Sequence, residues 1–161
     1  MLADVLVSEL LDARLIGVLA TLDPLCAIHA VPMWFAAGEN CVLLATGSRS
    51  RKVRNLEIDP RATLVVHDSR PGFEVCGVSI SGQVEIVRGS AALGLVDRVH
   101  ARYVIHGAEA VPAVREFLFS DDVALRLRPT TALIWDERGS EANEALRRFG
   151  SALPLVPTDP R

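Results

Sequence analysis

Hydrophobic positions along the chain fall into short runs divided by turn residues, and most of those runs read as strands. Residues 3–13 place Val5, Leu6, Leu10 and Leu11 at helical spacing, which predicts a short amphipathic helix. The continuous apolar run over 14–22 is expected to form a strand buried on both faces. Asp23-Pro24 turns the chain, and 26–37 returns as a second strand in which Pro32 marks a bulge or an unpaired edge. Gly38-Glu39-Asn40 is a hairpin turn into a third strand over 41–46. A helix over 48–58 follows, with Ser48 and Ser50 as candidate N-caps and Pro60 as its stop.

A fourth strand is expected over 61–67, with a turn cluster over 68–72. Residues 75–87 carry the clearest alternation: Val78, Ile80, Val84 and Ile86 share one face with Gly82, while Ser79, Ser81, Gln83 and Glu85 share the other. Such a strand lays one face on a core and offers the other to solvent or to a polar site. A helix then opens at Ser90 with the stripe Ala92, Leu95, Val96, Val99 and Tyr103, ending by Gly107. Another short helix is expected near 113–119, then one or two closing strands over 123–136. The final 137–161 reads as a helix over 141–149 and a loose, Pro-rich tail. Consecutive hairpins with few crossovers predict a mainly β fold, an antiparallel barrel with α-helices, in one domain over 1–136. There is no GxGxxG after the first strand, which speaks against a Rossmann fold.

Composition narrows the class. A chain of 161 residues that is 50% hydrophobic builds a substantial core and is not a disordered protein. Its net charge of −3 argues against a nucleic-acid partner. Cys26, Cys41 and Cys76 are scattered in apolar context, without CxxC or Cys/His spacing, so buried reduced thiols and no metal are expected. The longest greasy region is interrupted by Asp23, Pro24, His29 and Pro32, so no membrane span is expected. The first residues lack the basic region of a signal peptide, and the expectation is a cytoplasmic protein.

One segment opposes the acidic balance. After Thr46-Gly47, four cations occur within six positions: Arg49, Arg51, Lys52 and Arg54. Cations in the first turn of a helix run against its dipole, and an anion bound there relieves the conflict, as phosphate does at helix N-termini. Arg offers a planar fork and Lys a point charge, so both residue types suit a phosphate. The alternative for such a cluster is a solvated helix face. Arg54 is expected to face solvent or pair with Glu57. His29, His67, His100 and His106 show no triad or metal grouping and are read as structural or exposed. No catalytic residue stands out.

In register, these pieces resemble the pyridoxamine 5′-phosphate oxidase-like family of flavin-binding split barrels. Gly17-Val-Leu-Ala-Thr-Leu22 resembles its opening strand, and His29-Ala-Val-Pro-Met-Trp-Phe35 its second. Thr46 followed by Ser50-Arg51-Lys52 resembles its phosphate-binding segment, and the 78–86 strand its Gly-x-(Ala/Val)-Glu core. The closing Arg126-Leu-Arg-Pro and Ile134-Trp-Asp136 are also similar. The resemblance implies an antiparallel six- to seven-stranded split barrel, homodimeric, with flavin grooves at the dimer interface. Carried over by position, Thr46, Ser50, Arg51 and Lys52 hold the cofactor phosphate, Val31, Pro32, Met33 and Trp34 run beside the isoalloxazine, and Gln83 is a further ring contact. Trp135 and Arg126 are candidates to reach the partner's site. The implied cofactor is FMN, with the deazaflavin coenzyme F-420 as alternative, and the implied activity is hydride or electron transfer with a small-molecule substrate. The Arg- and His-rich C-terminal segment of the enzyme that oxidises pyridoxamine phosphate has no match here, so that activity is not expected. A carrier or sensor that binds a flavin without turnover is the alternative reading.

Overall fold

Two strands separated by a single residue, Trp34, lie at opposite edges of one seven-stranded sheet. The computed structural model describes residues 2, 4–69, 75–118, 121–141 and 144. In chain order its elements are α1 (Val5–Asp12), β1 (Gly17–Leu22), β2 (Ile28–Met33), β3 (Phe35–Gly38), β4 (Cys41–Gly47), α2 (Arg51–Ile58), β5 (Arg61–Ser69), β6 (Val75–Val87), α3 (Ser90–Tyr103), a 3-10 turn (Ala108–Ala110), α4 (Pro112–Leu118) and β7 (Asp122–Asp136). The sheet order is β2-β1-β5-β6-β7-β4-β3, antiparallel at every pairing. Because β2 continues into β3 through Trp34, the sheet must curl until its two edges meet at that residue. The result is the mainly β split barrel expected from the sequence.

The interior is filled by Leu19, Phe35, Val42, Leu44, Leu64, Val66, Val78, Ile80, Leu125 and Leu127, each shielded from solvent completely. These residues recur every second position along their strands, as a sheet with one buried face requires. α1 closes one end of the barrel with Val7, Leu10 and Leu11. Asp4 caps that helix, its carboxylate accepting from the Leu6 amide at 3.0 Å. α3 lies on the outside, where Ala92 and Val96 meet Ala124 of β7 and Val99 meets Ala36 and Leu43.

Several sequence expectations change. The strand expected over 14–22 begins at Gly17 and is buried on one face only; the other carries Val18, which is exposed. Its run looked continuous because the outward positions are apolar as well. The single strand expected over 26–37 breaks at Trp34, since its halves pair with different neighbours, β1 and β4. Pro32 sits in β2, an edge strand, where its missing donor costs least. α3 ends at Tyr103 with Val104 as its C-cap, and Gly107 precedes the 3-10 turn with φ +90°. β5 runs on to Ser69, through the start of the expected turn cluster. The closing strands are one strand, β7, which passes Pro129 by a bulge opposite Ser81 and Gly82. A Cβ on Gly82 would lie 2.0 Å from the Arg128 carbonyl oxygen, so only glycine permits that approach. The rest of the turn cluster, the end of the 113–119 helix, and nearly all of the C-terminal helix and tail lie outside the described residues.

Candidate functional site

The closure residue Trp34 forms one wall of a cleft of about 260 Å³, lined with Pro32, Met33, Ala45, Thr46, Gly47, His100 and Asp122. Trp34 is fixed from behind. Its ring stacks on Tyr103 with centroids 4.9 Å apart and planes 3° from parallel. The Tyr103 hydroxyl donates to the Leu15 carbonyl at 2.6 Å and accepts from the Phe35 amide at 3.3 Å. One residue earlier, Arg102 donates to the Leu11 and Ala13 carbonyls, both at 2.6 Å, which satisfies the C-terminal end of α1. The end of α3 thus clamps α1, the start of β1 and the β2–β3 junction together.

The opposite wall begins at the end of β4. Thr46 is only 9% exposed, and its hydroxyl accepts from Lys52 Nζ at 2.8 Å. Ser50 Oγ lies 3.5 Å from the same hydroxyl. Lys52 is half-buried, and desolvation lowers the pKa of its ammonium while the Asp122 carboxylate opposes that shift. Among the described residues no carboxylate lies within ion-pair distance of Lys52. Ser50 occupies the N-cap of α2 without a side-chain cap bond, so the first-turn amides lack the acceptor that Asp4 gives α1. A partly desolvated cation, two hydroxyls and uncapped helix amides form a donor set that suits a phosphate oxygen.

Arg51 stands in the same turn, its guanidinium 2.9 Å from the Asp23 carboxylate and 53% exposed. Arg54 is exposed, the first of its two expected alternatives, and bonds to the Arg49 carbonyl, while Glu57 pairs with Arg88 at 2.5 Å. α2 itself is anchored by Asn55, 2% exposed, which donates to Thr21 Oγ1 at 3.0 Å.

The cleft therefore brings together Pro32, Met33, Trp34 and Thr46, with Lys52 and Ser50 reaching Thr46 from α2. Met33 is core on one side. Val31 points a half-buried side chain toward the barrel interior, next to the cleft rather than in it. Gln83 lies elsewhere on the same chain. It pairs with Arg61 and Arg128 on the outward face of β6, whereas Thr46 pairs with Val123, so about 17 Å of β7 separates the two registers. Arg126 is held by Glu85 at 3.0 Å, and Trp135 covers Gly77, where a Cβ would come within 2.3 Å of the indole.

Two lining groups were not singled out from the sequence. His100 is 6% exposed, with Nε2 3.5 Å from Asp122 Oδ2 and its ring edge-on to Trp34 at 6.1 Å. Burial lowers the His100 pKa, and the carboxylates of Asp122 and Asp97 oppose that. His100 continues the buried stripe of α3 one position after Val99; only that stripe hinted at it. Asp122 begins β7, paired with Gly47.

With this geometry the comparisons can be read. The sequence profile of the pyridoxamine 5′-phosphate oxidase family matches residues 6–136, and the chain belongs to that family. Among solved structures, a conserved hypothetical protein from Mycobacterium tuberculosis is 27% identical with a TM-score of 0.71, covering 86% of this chain and 87% of that one. A structure described as an F-420 reductase is 25% identical with a TM-score of 0.61, covering 78% and 94%. HutZ, a heme storage protein from Vibrio cholerae, shares the fold at 16% identity and a TM-score of 0.62, over 81% of this chain and 91% of that one. A search of the curated proteins gives no significant match. Among the described residues, no helix is long and apolar enough to cross a membrane, and no cluster of His, Cys, Asp and Glu is arranged to hold a metal.

Proposed function

We propose that the protein is a flavin-type oxidoreductase that binds FMN, or a deazaflavin coenzyme of the F-420 type, and exchanges hydride or electrons with a small-molecule substrate. The observation that carries this reading is Lys52, a half-buried ammonium bound to Thr46 at the mouth of an aromatic-walled cleft. In it Thr46, Ser50, Arg51 and Lys52 hold the cofactor phosphate, and the backbone of Val31, Pro32, Met33 and Trp34 faces the ring system. When bound, the isoalloxazine supplies the redox chemistry; this chain supplies charge, orientation and exclusion of water. The family membership and the likeness to an F-420 reductase support the same assignment.

The protein works, in this reading, as a homodimer in the cytoplasm. The outward row Pro32, Val18, Val65, Ser79 and Leu133 crosses five neighbouring strands in one register and is largely apolar. Its members include Leu133 at 69% exposure, a poor surface for a monomer. In the proposed dimer Gln83 serves the other protomer's cofactor, which is consistent with its distance from Thr46 within one chain. Cys41 and Cys76 are buried free thiols, as expected, whereas the free thiol of Cys26 is exposed in the turn before β2.

Reconstitution tests the proposal. Purified protein is mixed with FMN or F-420 and binding is followed by the shift and quenching of the cofactor's absorption and fluorescence. One of the two is expected to bind at micromolar concentration or tighter and, once bound, to be reduced by a nicotinamide donor or exchange with an added acceptor. Binding of neither contradicts the proposal.

A further inference from the structure

Among the described residues, His100 alone lines both the 260 Å³ cleft and a second, larger groove. That groove, about 780 Å³, is open to solvent; Arg14, Asp97, His106 and Glu109 line it together with the apolar Val104, Ile105 and Leu118. The imidazole therefore stands in the partition between a narrow, aromatic-walled cleft and water. On the cleft side its Nε2 faces the Asp122 carboxylate at 3.5 Å. Its ring is held edge-on by Trp34, which the Tyr103 stack immobilises.

Hydride transfer leaves a proton to be moved. When a polarised double bond is reduced, one atom takes the hydride and its neighbour takes a proton. That proton must reach the cleft from solvent. We infer that His100 is the proton relay of this site, passing protons between the substrate in the cleft and water in the larger groove. The inference rests on the reading of the cleft as a flavin-type site. The balance is complete: a reduced flavin-type cofactor gives the hydride and is oxidised, and the substrate's π electrons close on the proton that His100 releases. The imidazole then recovers a proton from the groove. Asp122 steadies the imidazolium form, in the way a carboxylate orients a histidine base. The substrate class that follows is a carbonyl or a conjugated double bond, or the corresponding alcohol or saturated compound in reverse. The charged groups around the ring are Asp122 from β7, Lys52 across the cleft from α2, Asp97 on α3 itself, and Arg14, His106 and Glu109 around the groove.

The test uses the intact protein loaded with FMN, or with F-420 if that is what it binds, reduced without oxygen and mixed with menadione as a two-carbonyl acceptor. Wild type is expected to reoxidise with a pH-dependent rate and a solvent deuterium isotope effect. His100→Gln should bind cofactor as wild type does, yet slow at least about tenfold and lose both the pH dependence and the isotope effect. Independently of turnover, histidine NMR titration should show the His100 resonance (the one absent from H100Q) shifting on cofactor binding, while exposed His67 stays put. Asp122→Asn keeps the imidazole and should move the pH profile to lower pH, and it carries the test if H100Q does not fold. Unchanged rate, profile and isotope effect in these variants, with cofactor bound, overturn the relay alone. A wild type that binds neither cofactor sinks the reading of the cleft and the relay with it.

Discussion

Lys52 Nζ donates to Thr46 Oγ1 at 2.8 Å, joining the first turn of α2 to the last turn-facing residue of β4. The bond spans the loop 47–50 and fixes where a cation stands relative to the aromatic cleft. A lysine held on a neutral hydroxyl, with burial lowering its pKa against the opposing pull of the Asp122 carboxylate, is a partly desolvated charge. An anion in that place restores what desolvation removes.

The Trp34–Tyr103 stack gives a prediction for stability. Tyr103→Phe keeps the stacked ring and removes the hydroxyl that binds the Leu15 carbonyl and the Phe35 amide. Losing the partner of two part-buried backbone groups should cost about 1–3 kcal/mol, measured as a lower urea midpoint at unchanged slope. Tyr103→Ala should lose more and also change the emission of Trp34. Equal stability of the Phe variant and wild type would show that the clamp lies elsewhere.

The bulge at Gly82 gives another. Gly82→Ala drives a methyl into the Arg128 carbonyl oxygen, which is backbone and cannot swing aside. Overpacking of that kind costs about 1–3 kcal/mol or more. Gly94→Ala, where a Cβ would meet nothing within 4 Å, is the control and should be neutral or mildly stabilising. Thermal unfolding of the two variants separates them.

The buried His100 predicts a pH dependence. Its folded pKa lies below its ordinary value of 6.5, chiefly through desolvation. The unfolded chain therefore binds more protons than the fold in the window below 6.5, and stability falls as pH drops through it. The melting temperature should decline from pH 8 toward pH 5.5, and His100→Gln should flatten that decline. A slope unchanged by the substitution would place the titrating group elsewhere.

What the sequence made legible was what local pattern records. Val78, Ile80 and Val84 alternate with Ser79, Ser81 and Gln83 because β6 lies on the core by one face, and the strand was read with both ends correct. β4 was legible as a continuous apolar run, buried on both faces because α3 covers the outer one, and β5 by its inward Ala62, Leu64 and Val66. The break at Trp34 was not legible, because choosing a new neighbour across the barrel leaves no mark on side-chain period. The outward face of β1 misled for a related reason: Val18 is apolar yet exposed on the surface. At the site, Thr46, Ser50 and Lys52 were legible because they are local to one loop and helix start. His100 and Asp122 are 22 residues apart and meet only through the packing of α3 on β7. Asp23 was read only as a turn residue, and its pairing with Arg51 joins two loops that are distant in sequence.

The most direct test of the phosphate site compares two ligands that differ by one phosphate. Titrate FMN and riboflavin into wild type and into the double variant Arg51→Ala/Lys52→Ala. Charge-assisted hydrogen bonds worth about 1.5–3 kcal/mol each predict that the variant loses tenfold or more for the phosphorylated ligand and hardly changes for the other. Equal losses for both ligands, or no loss for either, would contradict the assignment of Arg51 and Lys52 to the phosphate.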